Sequence, residues 1–220
     1  MEIQVVEKIL QANDLLAGEV REILGANGVA SFNIMGTPGS GKTSIIEQTF
    51  SRLRDEFGVA VIEGDIATSL DAERLSRLGL QVVQVNTGGE CHLDAGMVKT
   101  ALPKLDLSAV DLLLIENVGN LVCPAEFDIG ESKKILITST PEGDDKCQKY
   151  PLMFRLADAV VVNKVDLMPY VEFNRTNCLL SLSNLNPQAP VFEVSCTTGE
   201  GLDEWAGWVR TQLGKRKRKS

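Results

Sequence analysis

Gly36, Thr37, Pro38, Gly39, Ser40, Gly41, Lys42 and Thr43, with Ser44 behind them, fit the spacing G-x-x-x-x-G-K-[ST]. They stand between the apolar run Val29 to Met35 and a helical stretch that begins near Lys42. The chemistry this spacing permits is polyphosphate binding. Glycines let backbone N–H groups turn inward on the β-phosphate, Lys42 brings a cation to the β- and γ-phosphates, and the Thr43 hydroxyl can ligate Mg²⁺.

Further along, Asn163-Lys164-Val165-Asp166 follows the apolar run Ala159 to Val162 and reads as the N-K-x-D tetrapeptide that selects guanine in G proteins. The Asp166 carboxylate can accept both the ring N1–H and the exocyclic amine of guanine, a donor pair that adenine does not present. Lys164 can lie against the base, and Asn163 can tie this loop to the phosphate loop. Ser195-Cys196-Thr197 occupies the position of a further base-contacting loop. The expected ligands are therefore GTP and GDP.

Between these motifs, Glu116-Asn117-Val118-Gly119 resembles the D-x-x-G of G proteins with glutamate in place of aspartate. A carboxylate there would act on Mg²⁺, directly or through water, and the Gly119 N–H would sense the γ-phosphate. Asp65 and Asp71, after the strand expected at Val59 to Ile62, are both candidates for the Mg²⁺ shell or for orienting the attacking water. Asp71 reads equally well as a first-turn helix residue favoured by the macrodipole. Lys42, Asp65, Asp71 and Glu116 form the candidate catalytic set, with Thr43, Asp65 and Glu116 toward magnesium. No arginine finger or water-holding glutamine stands out, so slow intrinsic turnover is expected.

His92 is the one histidine of the chain and follows Cys91 directly, while Cys123 lies four residues after Gly119. Two thiolates and an imidazole suit nickel or zinc and not Mg²⁺. On the residues alone, the alternative of structural cysteines stands beside this metal reading. Three ligands leave an ion short of the usual four, which water or a second subunit would complete.

Elements must hold these groups in place. Apolar runs at Val29 to Met35, Val59 to Ile62, Leu80 to Val85, Val110 to Ile115, Lys134 to Thr138, Ala159 to Val162 and Val191 to Val194 read as strands. Helical stretches begin near Lys42, Leu70, Leu93, Cys147, Tyr170 and Leu202. This alternation predicts an α/β fold, a single P-loop NTPase domain with a doubly wound, mostly parallel sheet and helices on both faces. A leading helix is expected over residues 1–27, the GTPase domain over 28–214 and a disordered basic tail over 215–220. With 30 acidic against 22 basic side chains and a net charge of -8, the body is not expected to bind nucleic acid. Five scattered cysteines, no signal peptide and no apolar run long enough for a bilayer predict a cytoplasmic protein away from membranes.

Nearly the whole chain, through GTPGSGKT, GDIATSLDAERL, TGGECHLDAGMV, LLLIENVGNLVCPAEFD, STPEGDDKCQKYP and NKVD, resembles the HypB family of the SIMIBI class of GTPases. The resemblance implies that Cys91, His92 and Cys123 are nickel or zinc ligands at a homodimer interface that depends on nucleotide and metal. It also implies GTP hydrolysis coupled to nickel delivery during [NiFe]-hydrogenase maturation. The implied partners are a HypA-type metallochaperone and a hydrogenase large-subunit precursor. Urease nickel GTPases carry C-P-H and E-S-x-G-D instead; Cys91-His92 without a proline, and Gly119 followed by Asn120, favour hydrogenase. The rival readings are a GTPase serving urease or a cobalamin enzyme, and a metal carrier that nucleotide merely stabilises. The chain lacks the additional N-terminal cysteine motif and histidine-rich tract of some family members, so the resemblance does not carry high-affinity nickel storage over to it.

Overall fold

In the computed structural model, which describes residues 2–66 and 69–214, the apolar runs of the sequence become strands and the stretches between them covering helices. The chain begins with α1 (Glu2–Ala26), β1 (Ala30–Gly36), α2 (Lys42–Leu53), β2 (Val59–Asp65), α3 (Leu70–Ser76), β3 (Gln81–Asn86) and α4 (Ala95–Ala101). It continues through β4 (Leu112–Glu116), α5 (Cys123–Glu126), β5 (Lys133–Ser139), α6 (Lys146–Lys149), α7 (Pro151–Leu156) and β6 (Ala159–Asn163). It closes with α8 (Arg175–Leu185), β7 (Val191–Glu193) and α9 (Leu202–Gly214).

Among the described residues the strands form one seven-stranded sheet in the order β3-β2-β4-β1-β5-β6-β7, and every strand pair is parallel. Parallel pairing requires crossovers, and these bury both faces of the sheet. Successive residues of one strand therefore enter different cores. Phe32, Ile34, Val61, Leu114 and Ile137 pack with α2 and α9, whereas Ile62, Leu113 and Ile115 pack with Val20 and Leu24 of α1 and with Val98 of α4. The leading helix is thus part of the main body's packing. On that same side, Leu136, Val160 and Val162 meet Met153, Phe154 and Leu182 of α7 and α8. Trp205 of α9 is fully buried and donates its indole N–H to Thr49 Oγ1 of α2 at 2.8 Å, which ties the helix behind the glycine-rich loop to the end of the chain.

The topology turns at β1. From there the chain moves outward through β2 and β3 in one direction and later through β5, β6 and β7 in the other, so the loop after β1 opens where the strand order reverses. Ligands of doubly wound sheets bind at such a point, beyond the carboxyl ends of the strands. One expectation needs correction. The stretch near Tyr170 is a 3₁₀ turn (Val165–Tyr170) containing Pro169, and the helix proper starts at Arg175, where Asn174 Oδ1 accepts from Asn177 N at 3.0 Å. Pro169 has no N–H for a helical ladder, so helix formation is delayed until that cap. The basic tail at 215–220 lies outside the described residues.

Candidate nucleotide and metal site

The carboxyl ends of β1, β2 and β4 and the first turns of α2 and α3 surround a cleft of about 490 Å³. Lys42, Thr43, Ser44, Asp65, Asp71, Glu116, Gly119 and Lys164 line it, as do Pro38, Gly39 and Gly41 of the glycine-rich loop. That loop can turn so tightly because Gly39 and Gly41 adopt left-handed backbone, with φ of 79° and 98°. Gly41 also admits the side chain of Asn163: a Cβ there would collide with the Asn163 amide, whose nitrogen donates to Ser40 O at 3.0 Å. Lys42 reaches back to Gly36 O at 3.4 Å and Thr37 O at 3.3 Å, long contacts that leave its ammonium donors to spare for an anion. Burial lowers the Lys42 pKa, against the opposing pull of Glu116 and Asp71.

Thr43 donates its hydroxyl to Glu116 Oε1 at 2.9 Å. The other Glu116 oxygen is buried with no hydrogen-bond partner, and burial pushes this carboxyl up to about 7. A hydroxyl beside a carboxylate whose second oxygen is unsatisfied suits a hard divalent cation that fills its other positions with water and phosphate. Asp71 sits half-buried in the first turn of α3 and Asp65 ends β2, where Asp65 Oδ1 accepts from Ile66 N at 2.6 Å.

At the other end, Lys164 has left-handed backbone with φ 60°. Its carbonyl accepts from Thr140 Oγ1 at 2.6 Å, its N–H donates to Asn163 Oδ1 at 2.8 Å and its ammonium donates to Gly39 O at 2.6 Å. Such a conformation in a non-glycine residue persists only where surrounding contacts enforce it. Asp166 follows outside the phosphate cleft, and its Oδ1 is buried with no partner, an acceptor awaiting donors. Ser195 is fully buried; its Oγ accepts from Thr197 N and Thr198 N, so it shapes its own loop. The Cys196 carbonyl accepts from Gln48 Nε2 at 3.2 Å, and burial pushes the Cys196 thiol up to about 11.

Cys91, His92 and Cys123 come together, their ligand atoms all within 4.8 Å of one another. The two sulfurs are 2.8 Å apart and Cys91 Sγ lies 3.9 Å from His92 Nδ1. Gly88 and Gly89, both with positive φ, turn the loop that delivers Cys91, while Cys123 opens α5. The His92 ring packs on Phe127 with centroids 3.9 Å apart. All three residues are half-buried, so the trio faces outward, and the Cys91 thiol alongside raises the Cys123 pKa. Two sulfurs and one imidazole nitrogen suit a soft or borderline ion.

Sequence reasoning passed over several residues here. Glu63 is buried at the end of β2 and stands opposite Glu116 in the strand register; burial first, and then Glu116, push its carboxyl up to about 8. Its signal was available, because Glu63 closes an apolar strand just as Glu116 does. Arg74 of α3 lines the cleft, donating to Ser44 Oγ at 3.3 Å and pairing with Glu47. Asn117 accepts from Leu93 N at 2.9 Å and donates to Asn33 Oδ1 at 3.1 Å, and Glu142 accepts from Thr37. Nothing local in the sequence marks these three contacts, since they join residues 24, 84 and 105 positions apart.

Residues 30–193 match the family described as CobW/HypB/UreG, nucleotide-binding domain. The hydrogenase maturation factor HypB of Escherichia coli (strain K12) is 44% identical over 210 residues, covering 96% of this chain and 72% of that protein. The hydrogenase/urease maturation factor HypB of Helicobacter hepaticus is 49% identical over 204 residues, covering 91% of this chain and 84% of that protein. In three dimensions, HypB from Helicobacter pylori in complex with nickel matches with a TM-score of 0.88 at 36% identity, over 95% of this chain and 99% of that one.

Proposed function

The chain belongs to the HypB hydrogenase maturation factors of the CobW/HypB/UreG nucleotide-binding family, and from that premise we propose that it hydrolyses GTP to GDP and phosphate and couples this to handing over Ni²⁺. The ion is cargo. Its recipient is a [NiFe]-hydrogenase large-subunit precursor, with a HypA-type metallochaperone assisting. The working unit is a homodimer in the cytoplasm, assembled under nucleotide and metal, in which the Cys91, His92 and Cys123 trio of each protomer meets that of its partner. Ni²⁺ is the physiological ion and Zn²⁺ can occupy the same ligands.

One observation carries the coupling: Glu116, Gly119, Asn120 and Cys123 lie on one short segment that touches the phosphate loop at its start and holds a soft ligand at its end. Gly119 approaches Pro38 so closely that a Cβ would lie 2.7 Å from Pro38 Cγ. A γ-phosphate arriving beside Lys42 meets that packed contact, and movement of the segment displaces the Cys123 sulfur.

In this reading Lys42 neutralises the β- and γ-phosphates, and the Asp166 carboxylate, whose Oδ1 is buried without a partner, accepts the two guanine donors. Asn163 fixes the base loop to the phosphate loop through Ser40. Thr43 and Glu116 hold Mg²⁺, which supplies charge neutralisation on the phosphates when bound. Asp65 and Asp71, which also line the cleft, serve the Mg²⁺ shell or orient the attacking water. The test is phosphate release from GTP and from ATP by purified protein, together with transfer of radioactive nickel to an apo-hydrogenase precursor. Release from GTP alone and nucleotide-dependent transfer support the reading. Equal release from both nucleotides refutes the guanine assignment, and transfer indifferent to nucleotide refutes the coupling.

A further inference from the structure

Glu63 has no task in the motifs, and its surroundings give it one. It is 4% exposed, and Glu116, its partner across the parallel β2–β4 pair, is 5% exposed. Residues paired in register on neighbouring strands project to the same face, with backbones about 4.8 Å apart. Each carboxyl has one oxygen, Oε2, that is buried and without a hydrogen-bond partner, and both residues line the cleft beside Lys42 and Thr43. Two carboxylates at this spacing, nearly out of water, repel one another. A buried pair of this kind needs a cation between its members or a proton on one of them.

Lys42 does not fill that need alone, because no hydrogen bond joins its ammonium to the free oxygen of either carboxyl. Nor does any other hydrogen bond satisfy the free oxygens. The donor set on this wall, two carboxylates and the Thr43 hydroxyl, is made of oxygen throughout. A small, hard divalent cation takes such a set, keeps several of its waters and fills its remaining positions with substrate phosphate.

We infer that Glu63 is a further acidic residue of the divalent-cation site, helping Glu116 and Thr43 to hold hydrated Mg²⁺. The inference rests on reading the cleft as a Mg²⁺–nucleotide site. It has a consequence for a protein that also handles nickel. The oxygen wall of Glu63, Glu116 and Thr43 takes the hard ion, and the sulfur and nitrogen donors of Cys91, His92 and Cys123 take the soft one, so that donor chemistry sorts the two.

Mn²⁺, which is paramagnetic and prefers oxygen ligands, is the probe. Its affinity for the GDP complex is read by electron paramagnetic resonance in wild type, Glu63→Gln and Glu116→Gln, alongside the melting temperature of the cation-free protein. Glu63→Gln is expected to weaken Mn²⁺ binding about 10- to 100-fold, while the cation-free melting temperature holds or rises because a repulsion has been removed. A merely structural glutamate would give the reverse: unchanged Mn²⁺ affinity and a lower melting temperature. Should Glu63→Gln fail to fold, Glu63→Asp serves, since it keeps the charge but withdraws the oxygen, and unchanged Mn²⁺ affinity in it overturns the inference equally. If Glu116→Gln weakens Mn²⁺ and Glu63→Gln does not, the inference falls while the cleft remains a cation site. If neither variant weakens it, the cation-site reading falls and takes the inference with it.

Discussion

Asn120 forms an isolated antiparallel bridge with Gly36, the first residue of the glycine-rich loop. The Asn120 side chain also points toward the soft site, its amide reaching Cys91 O at 3.5 Å and its oxygen accepting from Val122 N at 2.9 Å. One residue therefore touches the phosphate loop through its backbone and both cysteine segments through its side chain. Asn117 makes a parallel connection, joining the end of β4 to Leu93, the neighbour of His92.

Lys42→Ala is expected to lower GTP turnover by about 100-fold or more, because the glycine-rich loop carries no other cation for the β- and γ-phosphates. Phosphate release at saturating GTP measures it. Turnover near wild type would show that the loop is not the phosphate site.

Asp166→Asn is expected to shift preference from GTP toward xanthosine triphosphate, since an amide can donate to the carbonyl that replaces the guanine amine. Competition binding between the two nucleotides reads the shift. An unchanged preference for GTP would reduce Asn163 to Asp166 to a turn.

The α2–α9 contact supplies a stability test. Thr49→Val leaves the buried Trp205 indole N–H without its acceptor and is expected to cost about 1–3 kcal/mol. Adding Trp205→Phe removes the orphaned donor, so the double variant should be destabilised by less than the sum of the two single variants. Urea denaturation of all four proteins closes the cycle, and strict additivity would mean that the hydrogen bond contributes nothing.

Cys123→Ala is expected to abolish Ni²⁺ binding while leaving GTP affinity within a few-fold of wild type, because Cys123 lies beyond the cleft-lining residues Glu116 and Gly119. Calorimetric titration with each ligand separates the two effects. Retention of full Ni²⁺ affinity would remove Cys123 from the ligand set.

The fold was legible because its signals are local. Each apolar run was long enough to be a buried parallel strand, and the glycine-rich loop marks the point where β1 gives way to α2. Element ends drifted by one to three residues where polar residues continue a strand, as Glu116 continues β4 and Asp65 continues β2. The convergence of Cys91, His92 and Cys123 follows from two loops that leave the carboxyl ends of β3 and β4, on either side of β2, at the same edge of one sheet. Glu63 follows an apolar run as Glu116 does, a local signal that was passed over; its pairing in register with Glu116, across 53 residues of sequence, is what no local pattern announces. Glu142 and Asn117 act through contacts of the same long-range kind.

The central claim is that nucleotide state and soft-metal affinity are coupled through residues 116–123, and the most direct test is Ni²⁺ titration of the GDP-bound and GTP-analogue-bound protein by calorimetry. The contacts that would transmit a loop movement to Cys123 are the Asn120 bridge to Gly36 and the packing of Gly119 on Pro38. Ni²⁺ affinities are expected to differ by about 5- to 150-fold between the two states, with GTP affinity changed by the same factor when Ni²⁺ is bound. Identical Ni²⁺ affinities in both states would contradict it, and delivery driven by hydrolysis would have to be given up even with both sites intact.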